Sequence, residues 1–191
     1  MSALMKFGIV GGTFNPIHWG HLLLAETARD HLGLDRVLFI PVYLPPHKHA
    51  KGMLPGPVRF ELVQLAIRDH PAFVASDIEL KRESVSYTLD TVKTLQQQLP
   101  MAQLFLLIGQ DMLGVRWKGW DDIRRLCTVV AAARPGTAAR RPAKGIRVLP
   151  MPQVEITSTD IRKRAAAGRS IRYLVPAAVE RYIRQHNLYQ Q

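Results

Sequence analysis

Short apolar runs alternate along the chain with longer segments whose apolar positions recur at helical spacing. This is the pattern of strand–helix–strand units in a parallel sheet. Phe7 to Val10 predicts a first strand, closed by Gly11 and Gly12, and His18 to Leu32 a helix carrying Leu22, Leu23, Ala25, Ala28 and Leu32 on its apolar stripe. Val37 to Ile40 predicts a second strand ended by Pro41, and Pro57 opens a helix through Leu62, Leu65 and Ala66. Phe73 to Ala75 reads as a brief strand, and Thr88 to Leu99 as a helix ended by Pro100. Leu104 to Ile108 and Thr128 to Ala133 are strongly apolar strands, and Val148 to Leu149 is a short last one. Two helices follow, near Thr159 to Ala167 and Pro176 to Asn187.

The expectation is a Rossmann-like α/β fold: an open, mainly parallel sheet with helices on both faces and a small C-terminal helical part. Residues 1–191 are expected to form one domain, with the sheet core in 1–150 and the helical part in 151–191. The Pro- and Gly-rich stretch between Pro41 and Gly56 is long for a connection in a compact domain and is therefore suspected of function. The Ala/Arg/Pro-rich segment 137–144 reads as a surface loop.

Composition adds little until charge is considered. The formal charge is +11, and from Arg134 onward 12 Lys and Arg face 3 Asp and Glu. Such a field suits polyphosphates steered into a cleft or a nucleic acid. No recognition helix or zinc-finger spacing supports the second partner, so no nucleic acid is expected. No stretch approaches the roughly 18 apolar residues of a membrane span, and no signal peptide is read at the N-terminus. Cys127 reads as a small buried hydrophobe in a reducing compartment, which makes the cytoplasm the expected location. The sequence does not distinguish a monomer from a homodimer.

Ligands of such sheets sit beyond the carboxyl ends of the strands. After the first strand come Gly11, Gly12, Thr13, Phe14, Asn15, Pro16, Ile17, His18, Trp19, Gly20 and His21. Glycines let backbone approach a phosphate, a helix start offers free N–H groups, and histidines three apart share a helix face. Gly20 removes a side chain that would obstruct a nucleotide lying against the helix. The His pair has no third ligand at metal-site spacing, so no metal site of the protein is expected. Neither G-x-G-x-x-G nor G-x-x-x-x-G-K-[ST] occurs, which argues against dinucleotide oxidoreductases and P-loop NTPases.

Lys48, after Pro45-Pro46-His47, is a loop cation that suits either solvent or an anion. Thr157-Ser158-Thr159-Asp160 reads as a capping box that also makes a phosphate cradle with Arg162. Trp117 and Trp120 suit the core, although one could stack on a heterocycle; Tyr87 and Thr88 stand just before a helix.

Taken in order, these strings resemble the bacterial nicotinate-nucleotide adenylyltransferases, within the nucleotidyltransferase superfamily that carries H-x-G-H. The resemblance rests on Gly12-Thr13-Phe14, His18-Trp19-Gly20-His21, Pro45-Pro46-His47-Lys48, Glu79-Leu80-Lys81-Arg82, Ser86-Tyr87-Thr88 with Thr91, Gly109-Gln110-Asp111, Trp120, Arg134-Pro135-Gly136, Thr157 to Arg162 and Asn187-Leu188-Tyr189. Asn15 departs from it, standing where the family usually has Asp. The stretch Gly114 to Gly119 also departs from the family's usual form.

The resemblance implies adenylyl transfer from ATP to nicotinate mononucleotide, with Mg2+ carried in on ATP; the alternative is a member of the same superfamily with nicotinamide mononucleotide or phosphopantetheine as acceptor. It implies His18, His21, Lys48 and Arg162 as catalytic residues. It implies Gly11, Gly12, Thr13, Phe14, His21, Gly109, Asp111, Arg134, Thr157, Ser158, Thr159 and Arg162 on the ATP side. On the mononucleotide side it implies Asn15, His47, Lys48, Tyr87, Thr88 and Trp120. The C-terminal helical part would close the ATP site.

Overall fold

The computed structural model describes residues 4–46, 52–132, 145–152 and 154–190. Six strands form one sheet: β1 (Lys6–Gly12), β2 (Arg36–Pro41), β3 (Phe73–Ala75), β4 (Gln103–Gly109), β5 (Thr128–Ala132) and β6 (Arg147–Leu149). Their order is β3-β2-β1-β4-β5-β6, and every pairing is parallel. Strand order therefore reverses between β1 and β4, the place where doubly wound sheets bind their ligands.

The long helices are α1 (Trp19–Leu32), α2 (Gly56–Ile67), α4 (Thr88–Gln98), α6 (Ser158–Ala166) and α7 (Ala177–Gln185). Two shorter ones are α3 (Ile78–Arg82) and α5 (Trp120–Leu126), and a 3-10 turn spans Gln110–Gly114. The sequence reading contained neither α3 nor the 3-10 turn, and left the start of α5 as an unassigned segment. Each is too short for an apolar period to show. Ala133 and the segment 137–144 lie outside the described residues.

Alternation along the strands divides the core. Val10, Phe39, Phe105 and Leu107 point to one face, against Leu22, Ala25 and Ala28 of α1, Leu62 and Val63 of α2, Ile161 of α6, and Val179 and Ile183 of α7. Ile9, Leu38, Ile40, Leu106 and Ile108 point to the other, against Leu89, Val92 and Leu95 of α4 and Ile123 of α5. A parallel sheet covered on both faces needs unbroken apolar runs, and Leu104 to Ile108 is buried throughout. The C-terminal helices thus share the core of the sheet. Gly33, at φ 61°, ends α1 in the left-handed conformation that glycine adopts without strain, turning the chain into β2.

Candidate active site

The connection from β1 to α1 lies beside the reversal, and its backbone is fastened from behind at four carbonyls. Val42 N–H donates to Gly12 O at 3.0 Å. Arg59 Nη1 donates to Thr13 O at 2.8 Å, Arg162 Nη1 to Asn15 O at 2.9 Å, and Ser158 Oγ to Pro16 O at 2.8 Å. In a planar trans peptide the following N–H points opposite to the carbonyl. The N–H groups of Thr13, Phe14 and Ile17 are therefore aimed away from these donors, as a cradle for an anion requires.

Arg59 is the anchor that sequence reasoning missed. It is 1% exposed, and all three of its nitrogens donate to backbone: Nε to Leu54 O (2.8 Å), Nη1 to Thr13 O and Nη2 to Val42 O (2.7 Å). Burial holds its pKa below the usual guanidinium value. In the sequence it looked like one polar position on an amphipathic helix, and nothing local marked it.

His18 is the N-cap of α1 and is only 3% exposed; His21 is the third residue of the helix and half-buried. The rings lie 3.7 Å apart between centroids, tilted by 31°, and His18 N–H donates to His21 Nδ1 at 3.2 Å. The two imidazoles thus share one place at the helix start. Gly20 lies directly against the His18 ring. A Cβ there would meet the His18 ring at 3.1 Å, so the missing side chain makes room for the imidazole.

Phe14 and Asn15, two of the expected contact residues, have side chains packed against or bonded to protein. Phe14 is 1% exposed, with its ring edge-on to His21 at 5.0 Å and beside Phe39 at 6.1 Å. Its aromatic ring is core, which leaves its backbone N–H for a nucleotide. Asn15 is buried with its side chain committed to protein: Nδ2 donates to Gly52 O at 3.1 Å, and Oδ1 accepts from Leu54 N–H at 3.3 Å and Tyr189 O–H at 2.9 Å. Both lone pairs of the carboxamide oxygen are thereby used by protein donors, and Nδ2 spends one of its two hydrogens on Gly52 O.

Helix α6 arrives at the same edge. Thr157 caps it, its Oγ1 accepting from Asp160 N–H at 3.1 Å as the T-x-x-D spacing predicts. Ser158 bonds the β1–α1 connection, and Arg162 places Nη2 3.3 Å from Thr159 Oγ1 while Nη1 holds Asn15 O. Gly109 ends β4, and Asp111 lies exposed in the 3-10 turn that follows.

A second corner forms where α4 and α5 begin. Tyr87 caps α4, Thr88 is its first residue, and Trp120 is the first residue of α5. Lys118 Nζ stands 4.1 Å over the Tyr87 ring, and Trp117 and Trp120 lie 5.6 Å apart with Trp117 Nε1 donating to Met112 O. Gly119 permits the approach: it has φ 69°, and a Cβ would come within 2.5 Å of Leu89 Cδ2. Beneath this corner Thr91 Oγ1 donates to Glu79 Oε1 at 2.6 Å, and Arg82 Nη2 to Thr91 Oγ1 at 3.2 Å. Burial pushes the Glu79 carboxyl up, against the opposing pull of hydrogen bonds from Thr91 and Ser86 and the Arg82 charge. The chain beyond β2 is tied to the corner by Ser86 N–H to Leu44 O and Tyr43 N–H to Ser86 Oγ, both 2.9 Å. His47, Lys48 and Arg134 lie outside the described residues.

A 3-2-1-4-5-6 parallel sheet with a histidine pair and helix starts converging at its reversal is a doubly wound nucleotide-binding architecture. Consistent with this, the cytidylyltransferase-like family model matches residues 9–164. Among curated proteins, the chain is 47% identical to the probable nicotinate-nucleotide adenylyltransferase of Exiguobacterium sibiricum, over 97% of this chain and 99% of that one. It is 42% identical to that of Thermus thermophilus, over 97% and 100%. The fold superposes on the nicotinic acid mononucleotide adenylyltransferase of Plasmodium falciparum complexed with NaAD, with a TM-score of 0.83 at 16% identity, covering 97% and 98% of the two chains. The chain belongs to the nicotinate-nucleotide adenylyltransferases.

Proposed function

We propose that this site joins ATP to nicotinate mononucleotide, giving nicotinate adenine dinucleotide and pyrophosphate, a step of NAD biosynthesis. An oxygen of the mononucleotide 5′-phosphate bonds to the α-phosphorus as the bond from that phosphorus to the β-bridging oxygen breaks. The nucleophile is already an anion at neutral pH, so no protein base is needed. The task left to the protein is to align two anions and offset the charge growing on the leaving pyrophosphate.

The observation that carries this reading is the close, tilted His18–His21 pair beside a connection with four carbonyls turned to protein donors. His18, His21, Arg162 and the Gly12–Thr13 backbone would bind the triphosphate, with Lys48 and Arg134 supplying further charge. Gly109 and Asp111 would hold the ribose, and the Thr157–Thr159 turn would close over the nucleotide. Tyr87, Thr88 and Trp120 would hold the pyridine ring. Mg2+ enters with the triphosphate as part of that substrate. The chain's own contribution from His18, His21, Arg162 and the Gly12–Thr13 backbone is cationic and amide hydrogen bonding. Among the described residues no helix is long and apolar enough to cross a membrane, and a buried Cys127 thiol suits the reducing cytoplasm.

A coupled pyrophosphate-release assay tests the proposal. Nicotinate mononucleotide, nicotinamide mononucleotide and phosphopantetheine are offered with Mg-ATP. Turnover is expected with the first far above the others; equal or greater turnover with another acceptor overturns the assignment.

A further inference from the structure

The C-terminal tail reaches back to the β1–α1 connection. After α7, Asn187 and Tyr189 adopt positive φ (50° and 67°), which turns the chain inward and packs Leu188 and Tyr189 against the core shared by α1 and α2. The Tyr189 hydroxyl donates to Asn15 Oδ1 at 2.9 Å, across 174 positions of sequence. Asn15 in turn receives Leu54 N–H and donates to Gly52 O. Leu54 O accepts from Arg59 Nε, whose Nη1 bonds Thr13 O. One carboxamide thus joins three separate pieces of chain: the tail, the anion-binding connection, and the end of the segment between β2 and α2. The start of that same segment is bonded to Ser86, one residue before Tyr87 and Thr88.

We propose that Tyr189 is a positioning residue: through Asn15 it fixes segment 52–54 against the phosphate-binding connection and so sets the mononucleotide half of the site. The inference rests on the function proposed above. The bond acts on the acceptor side because Leu54 leads within two residues to Gly56, where a Cβ would meet Leu80 Cδ2 of α3 at 2.8 Å, and α3 carries the Glu79 and Arg82 that underlie the Tyr87–Thr88 corner. The ATP side keeps its own fastenings, Arg162 to Asn15 O and Ser158 to Pro16 O, which are backbone contacts that Tyr189 does not touch.

Tyr189→Phe in the full chain keeps the ring and its packing and removes only the hydroxyl. KM for nicotinate mononucleotide is expected to rise about fivefold, the scale of one neutral hydrogen bond, with KM for ATP and kcat unchanged. In an Asn15→Ala background the same substitution should have no further effect on that KM, because the partner through which the hydroxyl acts is gone. Amide exchange at Leu54 should quicken by about the same factor in Tyr189→Phe. An unchanged KM, an equal rise in both KM values, or a full additional effect in the Asn15→Ala background overturns the proposal. So does unchanged Leu54 exchange, which is read without any turnover. Failure of the wild-type chain to release pyrophosphate would remove the function while leaving the exchange experiment to decide the bond.

Discussion

His18 and His21 touch each other twice, through rings tilted by 31° with centroids 3.7 Å apart and through the His18 N–H donated to His21 Nδ1 at 3.2 Å. The bond occupies the Nδ1 lone pair, so the neutral His21 ring carries its proton on Nε2. That leaves a fixed donor beside the N–H groups of the β1–α1 connection. Phe14 supports the ring edge-on from the core, which limits how far it swings.

His21→Ala should therefore lower kcat by on the order of 10²–10³, the scale of one lost transition-state donor. Single-turnover kinetics with pyrophosphate as the readout would measure it. Near-normal turnover would remove His21 from the chemistry.

Trp120→Ala should raise KM for nicotinate mononucleotide by about tenfold or more, the scale of one lost ring stack, and leave KM for ATP as it was. Trp120 begins α5 at the Tyr87–Thr88 corner, while the histidines and Arg162 sit on α1 and α6, which pack on the opposite face of the sheet. A parallel loss of ATP affinity would show that the ring serves the adenosine half.

Arg59→Met should destabilise the protein by about 3–5 kcal/mol, because three buried carbonyls lose a charged donor at once. Arg59→Lys should recover little, since an ammonium cannot reproduce the planar fork. Urea unfolding of both variants measures the difference, and a lysine variant as stable as the parent would contradict it.

Gly119→Ala should cost about 1–2 kcal/mol from the left-handed backbone alone. The added Cβ also presses on Leu89 at the start of α4, so KM for the mononucleotide should rise with it. Urea unfolding and steady-state kinetics on one sample separate the two effects.

Tyr189 gives the stability profile a sign at high pH. Burial holds its phenol well above the ordinary value, with the Arg162 and Arg59 charges pulling it partly back. The folded chain therefore keeps the proton that the unfolded chain gives up near pH 10. The stabilisation is fully present below about pH 10 and is lost as pH rises toward the folded value. Compared with Tyr189→Phe, the wild type should lose extra stability in that window, measurable by urea unfolding between about pH 9 and 11; parallel curves would contradict it.

The fold was legible because a parallel sheet covered on both faces demands continuous apolar strands and striped helices, and Leu104 to Ile108 and Thr88 to Gln98 announce themselves. Strand order was not, since it depends on pairings between distant segments. The histidine pair, the Thr157 cap and the Tyr87–Thr88 corner were readable from local spacing. The roles of Phe14 and Asn15 were not, because residues inside a ligand-binding string look alike whether they face the ligand or the core. Arg59 and the Tyr189 hydroxyl were invisible for a related reason: each acts through partners more than 100 positions away or through backbone carbonyls that leave no trace in side-chain identity.

The four fastened carbonyls of the β1–α1 connection have a thermodynamic meaning. The entropy of ordering that stretch is settled when the chain folds, against Val42, Arg59, Arg162 and Ser158, instead of when a triphosphate arrives. Nucleotide affinity is then undiminished by any ordering of this stretch, and a lesion as remote as Arg59 should weaken affinity by making the empty enzyme supple.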